Sequence, residues 1–224
     1  QALYIVLEGG LFGQISHEAI GVRRFRIEVQ TSGGHSWGSF GTPSAIHELG
    51  RLITTIDNLK VPARPKTTYN VGVIEGGVTI NTIAPCAAFL LDLRSEDAEA
   101  LDRLVEQVLD IVHRARTQAR RRKRGIKYSV KEVGNRPAGR IPRTSPLVVW
   151  AEEALKFSGR EFVSYVNGST DANIPLSKGI DSVCIGLTQS ANSHRTDEFI
   201  DTEPLPYGLQ QLMLLVLAAG NYSG

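Results

Sequence analysis

The chain has 224 residues, 42% hydrophobic and 21% charged, with a net charge of +2. That is the composition of a globular chain long enough to bury a core, as one large domain or two small ones. Two cysteines, Cys86 and Cys184, lie far apart in apolar surroundings, which excludes a disulfide framework and zinc-cluster spacing and fits small buried residues in a reducing compartment.

The first residues read as a strand over Leu3–Leu7 that ends at Glu8-Gly9-Gly10. Residues 23–30 alternate, with Phe25, Ile27 and Val29 on one face and Arg24, Arg26, Glu28 and Gln30 on the other, the pattern of a strand with one wet side. After the turn Ser32-Gly33-Gly34-His35, Thr42 as N-cap and Pro43 at the first helical position open a helix, with Ile46, Leu49, Ile53 and Ile56 at helical spacing. Strands over 67–74 and 87–94 flank the turn Glu75-Gly76-Gly77.

The strongest helix starts at Asp97. Leu101, Leu104, Val105, Val108, Val112 and Ala115 form its apolar stripe, with acids crowding the front and arginines the back. The basic run Arg120–Arg124 suits the negative end of that helix; without aromatic interleaving it does not indicate nucleic acid. Gly125 ends the helix, and a strand with Ile126, Tyr128 and Val130 on one face follows over 126–133. The order β-α-β-β-α-β over residues 22–134 is the ferredoxin-like pattern, an antiparallel sheet with both helices on one side.

Beyond a Pro/Arg-rich connector (135–146) come a helix at 146–158 and a strand near 162–166. Gly168-Ser169-Thr170-Asp171 then opens a short helix, and a strand at 182–187, a polar loop and a closing helix at 204–219 complete the chain. The expected fold is a small α+β domain (22–134) inserted between two segments, 1–21 and 135–224, of an incomplete α/β domain. The apolar stretch 212–219 is too short to cross a bilayer, and no signal-peptide pattern opens the chain. A cytoplasmic protein without membrane or nucleic-acid partners is expected. Gln1 in place of Met suggests that the visible start is not the start of translation.

Several motifs in sequence order resemble those of the di-zinc aminoacylase, carboxypeptidase and tripeptidase family. These are the strand ending at Glu8-Gly9, the strand from Gly21, and Gly34-His35-Ser36-Trp37-Gly38 followed by Pro43-Ser44-Ala45-Ile46. Gly76-Gly77 with Asn81, then Asp92-Leu93-Arg94, Gly168-Ser169-Thr170-Asp171-Ala172, and Ser193-His194-Arg195-Thr196-Asp197-Glu198 continue the series. The resemblance implies that residues 22–134 are a lid that forms a homodimer and that the outer segments belong to the catalytic domain. It implies Glu8 and His194 as metal ligands in a site that binds two Zn2+ when complete, with Glu198 able to orient His194. It makes His35 the catalytic residue that reaches a partner's site to polarise the scissile carbonyl. Asn81 and Arg94 would grip the substrate carboxylate, which suits the planar guanidinium, and Gly168, Ser169 and Thr170 would line the substrate pocket.

Each of these residues also has a plainer role open to it. Glu8 could be a solvated strand-end acid, His35 a turn residue beside Trp37, Arg94 a partner of Asp92, and 168–171 a helix start. Glu152-Glu153 reads as a solvated helix surface.

In the family a His, a bridging Asp and a Glu-Glu pair, including the general base, precede the position of Glu8; His17, His47 and His113 do not replace them. The expected function is therefore part of a metallohydrolase whose parent cleaves a peptide or N-acyl amino acid with zinc-activated water, inactive as this chain alone. The alternative is a non-catalytic dimerisation or substrate-binding module. Strand 182–187 and the face of helix 204–219 are expected to expose apolar surface.

Overall fold

The computed structural model describes residues 2–159, 164–193 and 195–221. In chain order the elements are β1 (Tyr4–Glu8), β2 (Gln14–Ala19), β3 (Gly21–Gln30), β4 (Gly34–His35), α1 (Ala45–Asp57), β5 (Thr67–Gly76), β6 (Thr82–Ile83), β7 (Cys86–Ser95) and α2 (Ala98–Arg121). There follow β8 (Lys127–Arg136), β9 (Gly139–Arg140), α3 (Pro146–Phe157), β10 (Ser164–Gly168), α4 (Asn173–Ser177), β11 (Ser182–Gly186), β12 (Gln189–Ala191), β13 (Phe199–Asp201) and α5 (Leu205–Gly220). The chain divides into two compact units, one of residues 1–21 with 136–224, the other of residues 22–135.

The unit of residues 22–135 holds a four-stranded sheet in the order β5-β7-β3-β8. Period-two alternation decides its faces: Phe25, Ile27 and Val29 of β3 and Phe89, Leu91 and Leu93 of β7 are buried in one core with α1 and α2. The opposite face is charged. There Arg24 bonds Asp92 at 2.7 Å, Arg94 bonds the same carboxylate at 2.6 Å, and Arg26 pairs with both Glu28 and Glu75. Exposed Cys86 lies beside Glu28 and Arg26 on this face, so the expectation that it is buried fails.

Helix α2 forms where a stripe of Leu101, Leu104, Val105, Val108 and Val112 meets the sheet, and Asp97 caps it by accepting from the Ala100 N–H at 2.8 Å. Helix α1 starts later than expected, after Ser44, and its buried stripe is Ala45, Leu49, Leu52 and Ile56. Ile46 is exposed there, because it lies one position round the helix from the buried stripe that begins at Ala45.

In the other unit the sheet order is β1-β11-β2-β10, with β9 also on β2. Strands β1 and β11 run parallel, β11 and β2 antiparallel, and β10 parallel to β2. Every residue of β11 is buried, so the expectation of exposed apolar surface there fails: the strand is flanked by β1 and β2 and covered by α3. On α5 the expectation holds, since Leu209, Met213, Val216 and Leu217 are exposed. Among the described residues no helix is long and apolar enough to cross a membrane.

Candidate active-site segments

In the unit of residues 1–21 with 136–224, Glu8 ends β1 and is exposed, paired in register with Gly186 of β11. A Cβ at Gly186 would stand 2.0 Å from the Leu11 carbonyl carbon, so only glycine lets the loop after Glu8 cross the end of β11. The backbone beyond is pinned by the N–H groups of Leu187 and Thr188, which donate to the carbonyls of Glu8 and Gly9 at 3.2 and 3.1 Å.

Thr170 and Asp171 follow β10, and the Thr170 hydroxyl bonds the Cys184 thiol of β11. Burial pushes the Cys184 thiol up to about 12, with the negative charge of Glu8 adding to the rise; the Thr170 hydroxyl bond opposes it, and Asp171 contributes a smaller rise. Thr170 and the charge of Glu8 thus act on the same buried thiol.

Gly168, Ser169 and Thr170 form the entry to α4. The Gly168 carbonyl accepts from the Ile20 N–H at 2.8 Å, and the Thr170 N–H donates to Asn173 Oδ1 at 2.8 Å. A Cβ at Gly168 would meet only the Thr170 methyl at 3.7 Å, an ordinary contact, so the turn does not demand glycine there. The Ser169 hydroxyl is buried and has no hydrogen-bond partner among the described residues, although such groups are normally satisfied.

Asn173 was not singled out by sequence reasoning. Its buried amide donates to the carbonyls of Ile20 at 2.8 Å and Pro137 at 2.9 Å, next to the two points where the chain passes to the other unit. Its position directly after Ser169-Thr170-Asp171-Ala172 was the available signal, since a short polar side chain is favoured at a helix start. Glu152 is half-buried and takes the Tyr165 phenol, so it is not part of a solvated pair. His17 is buried, with Nδ1 2.7 Å from the Ile141 carbonyl. His194 lies outside the described residues.

In the unit of residues 22–135, His35 and Asn81 come together. The pairing of β4 with β6 sets His35 opposite Thr82, and the Ser36 N–H donates to the Asn81 carbonyl at 2.9 Å. His35 Nδ1 lies 3.3 Å from the Trp37 N–H and 3.4 Å from the Gly38 N–H, and must accept from them. In neutral imidazole the proton therefore sits on Nε2 as a donor. Gly33 holds the preceding turn at φ +66°, a conformation glycine adopts without strain. Asn81 Oδ1 accepts from the Thr79 hydroxyl at 2.8 Å.

Arg94 is not brought to this pair. It lies near the far end of β7 from Cys86, roughly 26 Å along an extended strand, and its guanidinium is held by Asp92. Burial pushes the Asp92 carboxyl up, but its bonds to Arg24 and Arg94 outweigh that and hold it below the usual carboxylate value.

Among the described residues no group of three or more His, Cys, Asp and Glu side chains is arranged to hold a metal ion. One strand-end carboxylate is too small a donor set for a pair of zinc ions, so the described residues alone do not fit that centre.

Residues 18–118 match the family model described as the peptidase dimerisation domain. The chain is similar to an acetylornithine deacetylase of Myxococcus xanthus, 25% identical over 189 residues, which cover 80% of this chain and 48% of that protein. Its fold is similar to that of a tripeptidase of Staphylococcus aureus, with a TM-score of 0.78 at 21% identity over 95% of this chain and 56% of the other. An aminopeptidase of Bacillus cereus matches with a TM-score of 0.78 at 20% identity, over 98% of this chain and 58% of the other. The chain thus spans about half the length of these relatives.

Proposed function

We propose that this chain, a member of the family that carries the peptidase dimerisation domain, is the lid and carboxy-terminal segment of a metallohydrolase. Its parent cleaves the amide bond of a peptide or an N-acyl amino acid. Residues 22–134 act as a ferredoxin-like lid, and 1–21 with 135–224 belong to the catalytic domain. The observation that carries the reading is His35: its Nδ1 is taken by two backbone N–H groups, leaving an Nε2–H as a donor for a carbonyl oxygen, on a turn whose Ser36 N–H is bonded to the Asn81 carbonyl.

Glu8 and His194 are this chain's contribution to the zinc ligands, and the remaining donors come from outside it. Gly168, Ser169 and Thr170 line the substrate pocket, a role supported by the unpartnered buried Ser169 hydroxyl. Arg94, once released by Asp92, binds the substrate carboxylate as a two-pronged donor. The long separation of Arg94 from His35 and Asn81 within one lid favours a site assembled from two copies. Exposed Val73 and Ile74 on edge strand β5 support a homodimer through that edge and its neighbouring helix.

By itself the chain is a dimerisation and substrate-binding module that does not turn over. The test is hydrolysis of N-acetyl amino acids and tripeptides by the zinc-replete chain, with light scattering on the same sample. Dimers without turnover agree with the reading; zinc-dependent turnover by this chain alone would overturn the predicted inactivity, and a strict monomer would overturn the dimer.

A further inference from the structure

The unit of residues 22–135 carries a cavity that none of the candidate site residues lines. It lies between α1 and the C-terminal half of α2, with Ile126 and Tyr128 at its base, and has a volume of about 1190 Å³. That is room for a whole small molecule, as common ligand pockets measure about 300–1,000 Å³.

Its lining is strongly one-signed. Arg51, Arg114, Arg121, Arg122 and Arg124 face it, and Glu48 is the only acidic residue there. The buried Glu48 carboxylate accepts from Arg51 at 2.7 Å, from Arg124 at 3.2 Å and from the Tyr128 hydroxyl at 3.2 Å. Glu48 therefore fixes two guanidinium groups at the wall, while Arg114 pairs with Asp110 of its own helix. Arg121 and Arg122 make no ion pair among the described residues.

The dipole of α2 accounts for cations in its last turn. It does not account for Arg51 on the other helix, for Arg114 two turns earlier, or for Arg124 beyond the helix end. Arginines that line one cavity from two helices and the following loop suit an anion whose charge is spread over several oxygens, since each planar fork pairs two of them. With Arg51 and Arg124 held by Glu48 and Arg114 by Asp110, the guanidinium groups of the neighbouring Arg121 and Arg122 are the pair left to take such an anion, and a single carboxylate would occupy only one of them.

We propose that this cavity binds a compact polyanion carrying two or more phosphate groups, free or attached to a nucleoside. The experiment is calorimetric titration of the 224-residue chain with inorganic tripolyphosphate and with ATP at near-physiological salt. The double variant Arg121→Ser/Arg122→Ser is titrated beside it; both side chains are exposed and lie outside the Glu48 network. Saturable one-to-one binding is expected, at least about ten-fold weaker in the variant, the size of losing a charge-assisted bond. Tighter binding of ATP assigns a nucleotide, and tighter binding of tripolyphosphate assigns the inorganic chain; either supports the site. Absence of saturable binding, equal affinity in the variant, or affinity that grows with the length of a single-stranded RNA would overturn it.

Discussion

In the unit of residues 22–135 both helices turn a closed apolar stripe onto one sheet face, while the other face carries a lattice of arginines and carboxylates. In the unit of residues 1–21 with 136–224 the closing helix is apolar nearly all round. Gln211 and Leu215 are buried, yet Leu209, Met213, Val216 and Leu217 are exposed on the same helix, and edge strand β1 exposes Tyr4 and Leu7. A helix that is hydrophobic all round belongs inside a larger structure. The first unit satisfies its helices with its own residues and leaves apolar side chains chiefly on β5 and the turns near His35 and Asn81. The second has a helix whose sequence asks for a further layer.

That difference can be broken by substitution. Phe89→Ala removes a fully buried ring from the first unit and should cost about 3–5 kcal/mol, read as a fall in the denaturation midpoint. A cost below about 1 kcal/mol would mean that this core is not closed.

In an active protein containing this chain, His35→Ala should lower kcat by about a hundred- to a thousand-fold with zinc content unchanged, the usual effect of removing one donor to a developing oxyanion. A change confined to KM would make His35 a binding residue only.

Tyr128 sharpens the comparison by pH. Burial first, then the charge and bond of Glu48, push its phenol from 10 up to about 12. The folded state thus favours the protonated form, so this contribution is complete below pH 10 and is lost as pH rises through about 12. The melting temperature of the chain should fall across that window, and Tyr128→Phe should flatten the fall. An unchanged slope in the variant would locate the alkaline loss elsewhere.

The smallest effect is expected at α5. Met213→Ser touches a residue that is 65% exposed and should change stability by less than about 0.5 kcal/mol, while reducing self-association. A larger loss would mean that the helix face is already covered.

Local grammar accounts for what was legible in the sequence. Asp97 and the stripe behind it locate α2 because cap, period and charge bias agree. Strand β2 escaped because four of the six residues of Gln14–Ala19 are polar; its burial comes from β11 and β10, which arrive from far along the chain. The start of α1 slipped by two residues because Thr42, Pro43 and Ser44 all suit a helix entry, and sheet contacts decide among them. At the candidate site, residue identities were legible but their neighbours were not. His35 and Asn81 are separated by 46 positions and meet only through the two-residue pairing of β4 with β6. The bonds of Asn173 to Ile20 and Pro137 span distances that no local pattern encodes.

The most direct measurement is complementation between two inactive variants of a full-length protein containing this chain, His35→Ala and Glu8→Ala. If the lid of one copy completes the metal-bearing site of another, mixing and re-equilibrating the two should restore up to roughly a quarter of wild-type hydrolysis, because half the dimers are mixed and each has one intact site. No recovery above the separate variants, while wild type hydrolyses the same substrate, would contradict a site built from two copies.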